Sequence, residues 1–96
     1  MATVVVKLEG VDKVSRAKVR IDEDQPGEKK VRLNEEGVAS VPDVAPGAHI
    51  LSWFLQGEDG APYSMTITAP DEASFATQGC SLKEGEDEGL HQFEVQ

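Results

Sequence analysis

Apolar and polar residues alternate with a period of two along most of this chain, the pattern of β-strands that bury one face. In ATVVVKLEG, Ala2, Val4, Val6 and Leu8 fall on one face and Thr3, Lys7 and Glu9 on the other, with Val5 the exception. SRAKVRID sets Ala17, Val19 and Ile21 against Arg16, Lys18, Arg20 and Asp22, and DEDQPGE then breaks the strand with a Pro-Gly turn. KKVRLN resumes with Val31 and Leu33 inward and Lys30, Arg32 and Asn34 outward; EEG is a turn, and VASV is a short strand ended by Pro42.

The run AHILSWFLQ is long enough to cross a whole sheet, with His49, Leu51, Trp53 and Leu55 on one face and Ile50, Ser52, Phe54 and Gln56 on the other. GEDG predicts a tight hairpin connection into PYSMTITA, whose Tyr63, Met65 and Ile67 share a face. FATQGCSL is a further strand, KEGEDEG a loop, and LHQFEV the closing strand. About eight strands separated by turn signals predict an all-β, mainly antiparallel β-sandwich of seven to eight strands, in a single domain over residues 1–96. The expected core holds Val6, Val19, Ile21, Leu33, Val44, Leu51, Trp53, Met65 and Phe93. No segment shows a helical period, and no internal repeat is present.

Composition narrows the function classes. No run approaches the roughly 18 apolar residues of a spanning helix, and MATVVVKLEG lacks the charged leader and long apolar stretch of a signal peptide, so the cytoplasm is the expected compartment. Cys80 is the one cysteine, which excludes an internal disulfide. A net charge of −9 argues against nucleic-acid binding, since phosphate contacts need Lys and Arg. The charge is also lopsided. Residues 1–32 hold eight of the nine basic side chains and six acids, whereas residues 33–96 hold Lys83 alone against twelve acids.

From Gly10 to Gly57 the parts follow a specific order. RAKVRI carries the alternating Ala17, Val19 and Ile21, and Glu36-Gly37 precedes a short strand; then come Val44, the Pro46-Gly47 step, His49 and Leu51. This order resembles the carboxypeptidase regulatory-like domains and their PEGA-type relatives, in the transthyretin-like group of β-sandwiches, an immunoglobulin-like architecture. The likeness covers about half the chain. It implies an accessory module with no catalysis and no cofactor, in which Pro46-Gly47 turns the chain from one sheet toward the other and Val44 plugs the sandwich edge.

Enzymes of the transthyretin-like group do not fit. The hydroxyisourate hydrolases end in a Tyr-Arg-Gly-Ser type tail, and this chain ends in HQFEVQ; the intradiol dioxygenases hold iron through two Tyr and two His, and Tyr63 is the one tyrosine here. No nucleophile-elbow or glycine-rich phosphate motif occurs, and His49, His91 and Cys80 match no metal-ligand spacing. Two surfaces invite partners. Arg16, Lys18 and Arg20 with Lys30 and Arg32 form a basic face suited to an acidic surface, on another protein or on a second copy of this chain. Ile50 and Phe54 lie opposite the core, so they are expected to touch another chain or to be sealed by the C-terminal segment. The expected function is therefore a protein-interaction or structural module. The alternative is a ligand-binding module: calcium at Glu84, Glu86, Asp87 and Glu88, or carbohydrate stacked on aromatic rings.

Overall fold

The computed structural model describes all residues, Met1–Gln96, and shows two antiparallel sheets packed face to face. In chain order the strands are β1 (Ala2–Glu9), β2 (Val14–Ile21), β3 (Lys29–Lys30), β4 (Val38–Val44), β5 (Gly47–Gly57), β6 (Pro62–Ala69), β7 (Phe75–Ala76), β8 (Cys80–Ser81) and β9 (Glu86–Val95). One sheet has the order β4-β1-β6-β7 with β8 also on β6; the other has the order β3-β2-β5-β9. Short 3-10 turns at Val11–Lys13 and Asp71–Ala73 are the helical content. The expected β-sandwich is the fold, with nine strands.

The alternation sets the core. Val4, Val6 and Leu8 on β1, Val19 and Ile21 on β2, Leu51, Trp53 and Leu55 on β5, and Tyr63, Met65 and Ile67 on β6 interdigitate between the sheets, joined by Val44, Leu82 and Phe93. Eight of the nine expected core residues are buried. Leu33 packs against the core but stays half-exposed. The cause is topological: after pairing Lys30 with Arg20, the chain must leave β2 and cross to the other sheet. Asn34 steers that crossing, its Oδ1 accepting the N–H groups of Glu36 and Val38. KKVRLN is therefore a strand over Lys29–Lys30 alone.

Two connections differ from expectation. GEDG does not close a hairpin, because β5 is flanked on both edges by β2 and β9, so β6 has no place beside it and pairs with β1 in the other sheet. The C-terminal strand begins at Glu86 rather than at Leu90, since β5 offers ten residues of pairing edge to β9. Within it, Gly89 lies opposite Trp53, and a Cβ there would sit 2.5 Å from the indole Cζ2, so only glycine admits the ring. The Pro46-Gly47 step carries β4 into β5 across the sandwich as anticipated, with Gly47 at φ 120° and Val44 fully buried.

Candidate functional site

The outer face of the β3-β2-β5-β9 sheet carries a groove of about 820 Å³. Its floor is the outward side of β5: Ile50, Ser52 and Phe54 project outward because Leu51, Trp53 and Leu55 project inward. Register places Ser52 opposite Leu90, and Phe54 between Lys18 on β2 and Glu88 on β9. Ile50 is 45% exposed and Leu90 71% exposed, and Phe54 is half-buried. Three apolar side chains thus share one concave surface, bordered by a cation on one side and a carboxylate on the other.

The opposite wall of the groove is the turn after β2, residues 22–25. Asp22 and Asp24 adopt positive φ (57° and 65°), a conformation that short polar side chains tolerate better than most. Asp22 locks the turn to β5. Its N–H donates to the Ile50 carbonyl (2.8 Å), its Oδ1 accepts the Ile50 N–H (3.0 Å), and its Oδ2 meets His49 Nδ1 at 2.7 Å. His49 Nε2 lies 2.6 Å from the Ala45 carbonyl. Both partners accept, so the two contacts are satisfied together only when the ring is protonated on both nitrogens. Desolvation disfavours that charge, but the bonds to Asp22 and Ala45 and the Asp22 carboxylate outweigh it and raise the His49 pKa above 6.5. Glu23 completes the wall: it accepts from Ser52 Oγ (3.1 Å) and Lys18 Nζ (3.4 Å), and these bonds, Ser52 first, hold its pKa below the usual value.

The five cations of the basic face do not act together. Lys18 is drawn into the groove by Glu23. Arg16, Arg20, Lys30 and Arg32 line a separate cleft of about 430 Å³ at the edge of β2. Ile50 and Phe54 both line the groove, and the C-terminal segment does not seal them; it pairs edge-on with β5 and adds Leu90 to the same surface. Leu90, Ser52 and the turn residues Asp22, Glu23, Asp24 and Gln25 line the groove without having been singled out by pattern. Leu90 carried a signal, being the one apolar residue on the face shared by Glu86, Glu88, Gln92 and Glu94.

The carboxylates set aside for calcium are pulled apart by the strand that contains three of them. Alternation along β9 sends Glu86 and Glu88 outward and Asp87 inward, while Glu84 precedes the strand. Glu86 Oε2 accepts from Gln56 Nε2 (3.3 Å), and Asp87 Oδ2 accepts the Tyr63 hydroxyl at 2.6 Å. That hydroxyl in turn accepts the Trp53 indole N–H at 3.1 Å. Burial, then the bond to Asp87, pushes the Tyr63 pKa well above 10. No group of three or more His, Cys, Asp or Glu side chains is placed to hold a metal ion, so neither this set nor His49, His91 and Cys80 makes a centre. His91 stacks on Phe75 instead, with ring centroids 3.7 Å apart. Trp53 and Tyr63 are each 6% exposed, so they offer no ring face to a sugar. Compared with known proteins, the chain matches no family model, no curated protein and no solved structure.

Proposed function

We propose that this protein is a non-catalytic β-sandwich that binds a protein partner through the outer face of the β3-β2-β5-β9 sheet, in the manner expected of carboxypeptidase regulatory-like accessory domains. The observation that carries this reading is the convergence of Ile50, Phe54 and Leu90 in one walled groove. Single exposed apolar residues are ordinary, but three in a shared concavity remove apolar area from water only when something fills it. The wall supports the same use. Asp22 and Glu23 are held by hydrogen bonds before any partner arrives, so little ordering entropy is lost on contact. Lys18 on one border and Glu88 on the other orient a dipolar partner surface.

The test uses an Ile50→Ser, Leu90→Ser variant. Both side chains are exposed, so the unfolding midpoint should stay close to that of the wild type. Immobilised wild-type protein should retain a partner from cells of its source that the variant fails to retain, or light scattering should show a self-complex that the variant loses. Identical retention and identical mass for the two proteins would overturn the reading.

A further inference from the structure

The edge of β2 presents a second surface, separate from the groove. β3 covers β2 only at Arg20 and Ile21, with one further bond from the Val31 N–H to the Val19 carbonyl (3.0 Å). Beyond that point the chain turns away toward the other sheet, and residues 14–18 have no strand on their outer side. The Val19 carbonyl faces that side, so the period of two places the Ala17 N–H and C=O there as well. Ala17 itself is exposed although it lies on the core-facing side, where Val19 and Ile21 are sealed. The sandwich is open at this corner.

The cleft left by the departing chain has two linings. Arg16, Arg20, Lys30 and Arg32 supply the charged part, and Val14, Ala17, Val31 and Leu33 the apolar part. No carboxylate lines it, although the chain has eighteen acids and nine bases. None of the four cations is in an ion pair, and the Arg20 guanidinium donates only to the adjacent Val19 carbonyl. Charges on a free edge commonly deter pairing with stray strands. Here they deter neutral and basic strands and favour acidic ones, because the backbone groups and an apolar floor stay accessible beside them.

We propose that the open edge of β2 is a strand-addition site for an extended polypeptide segment that alternates acidic and apolar residues. The added strand pairs with the main chain at Ala17. Its acidic side chains fall among Arg16, Arg20, Lys30 and Arg32, and the intervening apolar ones cover Ala17, Val31 and Leu33. This inference rests on the interaction reading only in that the occupant is a polypeptide. Groove and edge are different surfaces and fail independently.

The experiment uses a labelled peptide of about eight residues alternating Glu and Val, long enough for the free edge at ~3.4 Å per residue. Controls are a peptide of the same residues in block order and an alternating Lys-Val peptide. Fluorescence anisotropy should show binding of the alternating acidic peptide alone, weakening as salt rises from about 0.05 to about 0.5 M. Hydrogen exchange should show the Ala17 amide newly protected. An Arg16→Glu, Arg32→Glu variant should bind about tenfold or more weakly, since two attractive pairs are lost and the reversal adds repulsion. Both residues are exposed and unpaired, so the fold should hold; if it does not, Arg16→Gln, Arg32→Gln replaces that variant. The Ile50→Ser, Leu90→Ser variant should bind this peptide as the wild type does, which separates edge from groove. Equal binding of the block-order peptide, an unprotected Ala17 amide, or no binding at all would overturn the proposal.

Discussion

Removing one oxygen atom, with Tyr63→Phe, should cost this sandwich a large part of its stability. The ring keeps its packing, so no cavity opens. What disappears is the hydroxyl that joins two side chains across the core, accepting the Trp53 N–H at 3.1 Å and donating to Asp87 at 2.6 Å. Trp53 is 6% exposed, so its N–H is left without water or partner, a loss of about 1–3 kcal/mol. The bond to Asp87 has a carboxylate acceptor, a class worth about 1.5–3 kcal/mol, but Asp87 is half-buried and regains some hydration. The lower end applies there, and the total comes to about 2.5–4.5 kcal/mol. With a urea dependence of about 1 kcal/mol per molar for so small a domain, the midpoint should fall by about 2 M or more. Trp53 is the only tryptophan and reports the transition by fluorescence, with circular dichroism as the second probe for two-state behaviour. Asp87→Ala in both backgrounds completes a double-mutant cycle, and the coupling should be about 1 kcal/mol or more. A Tyr63→Phe protein within about 0.5 kcal/mol of the wild type would show that the hydroxyl does not hold the network together.

Two further outcomes concern Gly47 and His49 at the start of β5. Gly47, at φ 120° with open space where a Cβ would stand, should tolerate Asn better than Val in urea unfolding, since the strain lies in the backbone rather than in a clash; equal losses would refute the positive-φ requirement. His49 has a folded pKa above its unfolded value near 6.5, so its stabilisation is complete below that value and is lost as pH rises through the folded pKa. Wild-type stability should therefore decline over that window while His49→Gln stays flatter, and parallel profiles would show that the imidazolium does not hold the turn.

The strands with sharp contrast between faces were legible from pattern alone. Val19 and Ile21, or Leu51, Trp53 and Leu55, have nowhere to go but inward, and their neighbours Arg20, Ser52 and Gln56 nowhere but outward. β9 was only half legible because Glu86, Asp87 and Glu88 are charged on both faces, so period two gives no contrast there. What makes them a strand is the long unpaired edge of β5, a partner distant in sequence. GEDG carries turn residues that predict a reversal without saying into which sheet, and that choice follows from β5 having both edges occupied.

The same distinction governs the candidate site. EGEDEG looked like a ligand cluster because its carboxylates are adjacent along the chain, yet in a strand adjacency means opposite faces, and Asp87 ends up serving the core. The five cations obeyed alternation, but the departure of residues 31–34 from β2 divided them between two concavities. The groove, by contrast, gathers Glu23, Phe54 and Leu90 from three separate segments, and no local motif marks it. Its partial trace in the sequence is an apolar residue on an otherwise polar strand face: Ile50 and Phe54 beside Ser52, and Leu90 between Glu88 and Gln92. Such a residue gains nothing from the core of its own sheet. In a sandwich whose strand faces are otherwise cleanly sorted, two strands that break the sorting at neighbouring register positions leave an exposed apolar surface that the core does not use, and the proposed contact is drawn from that surface.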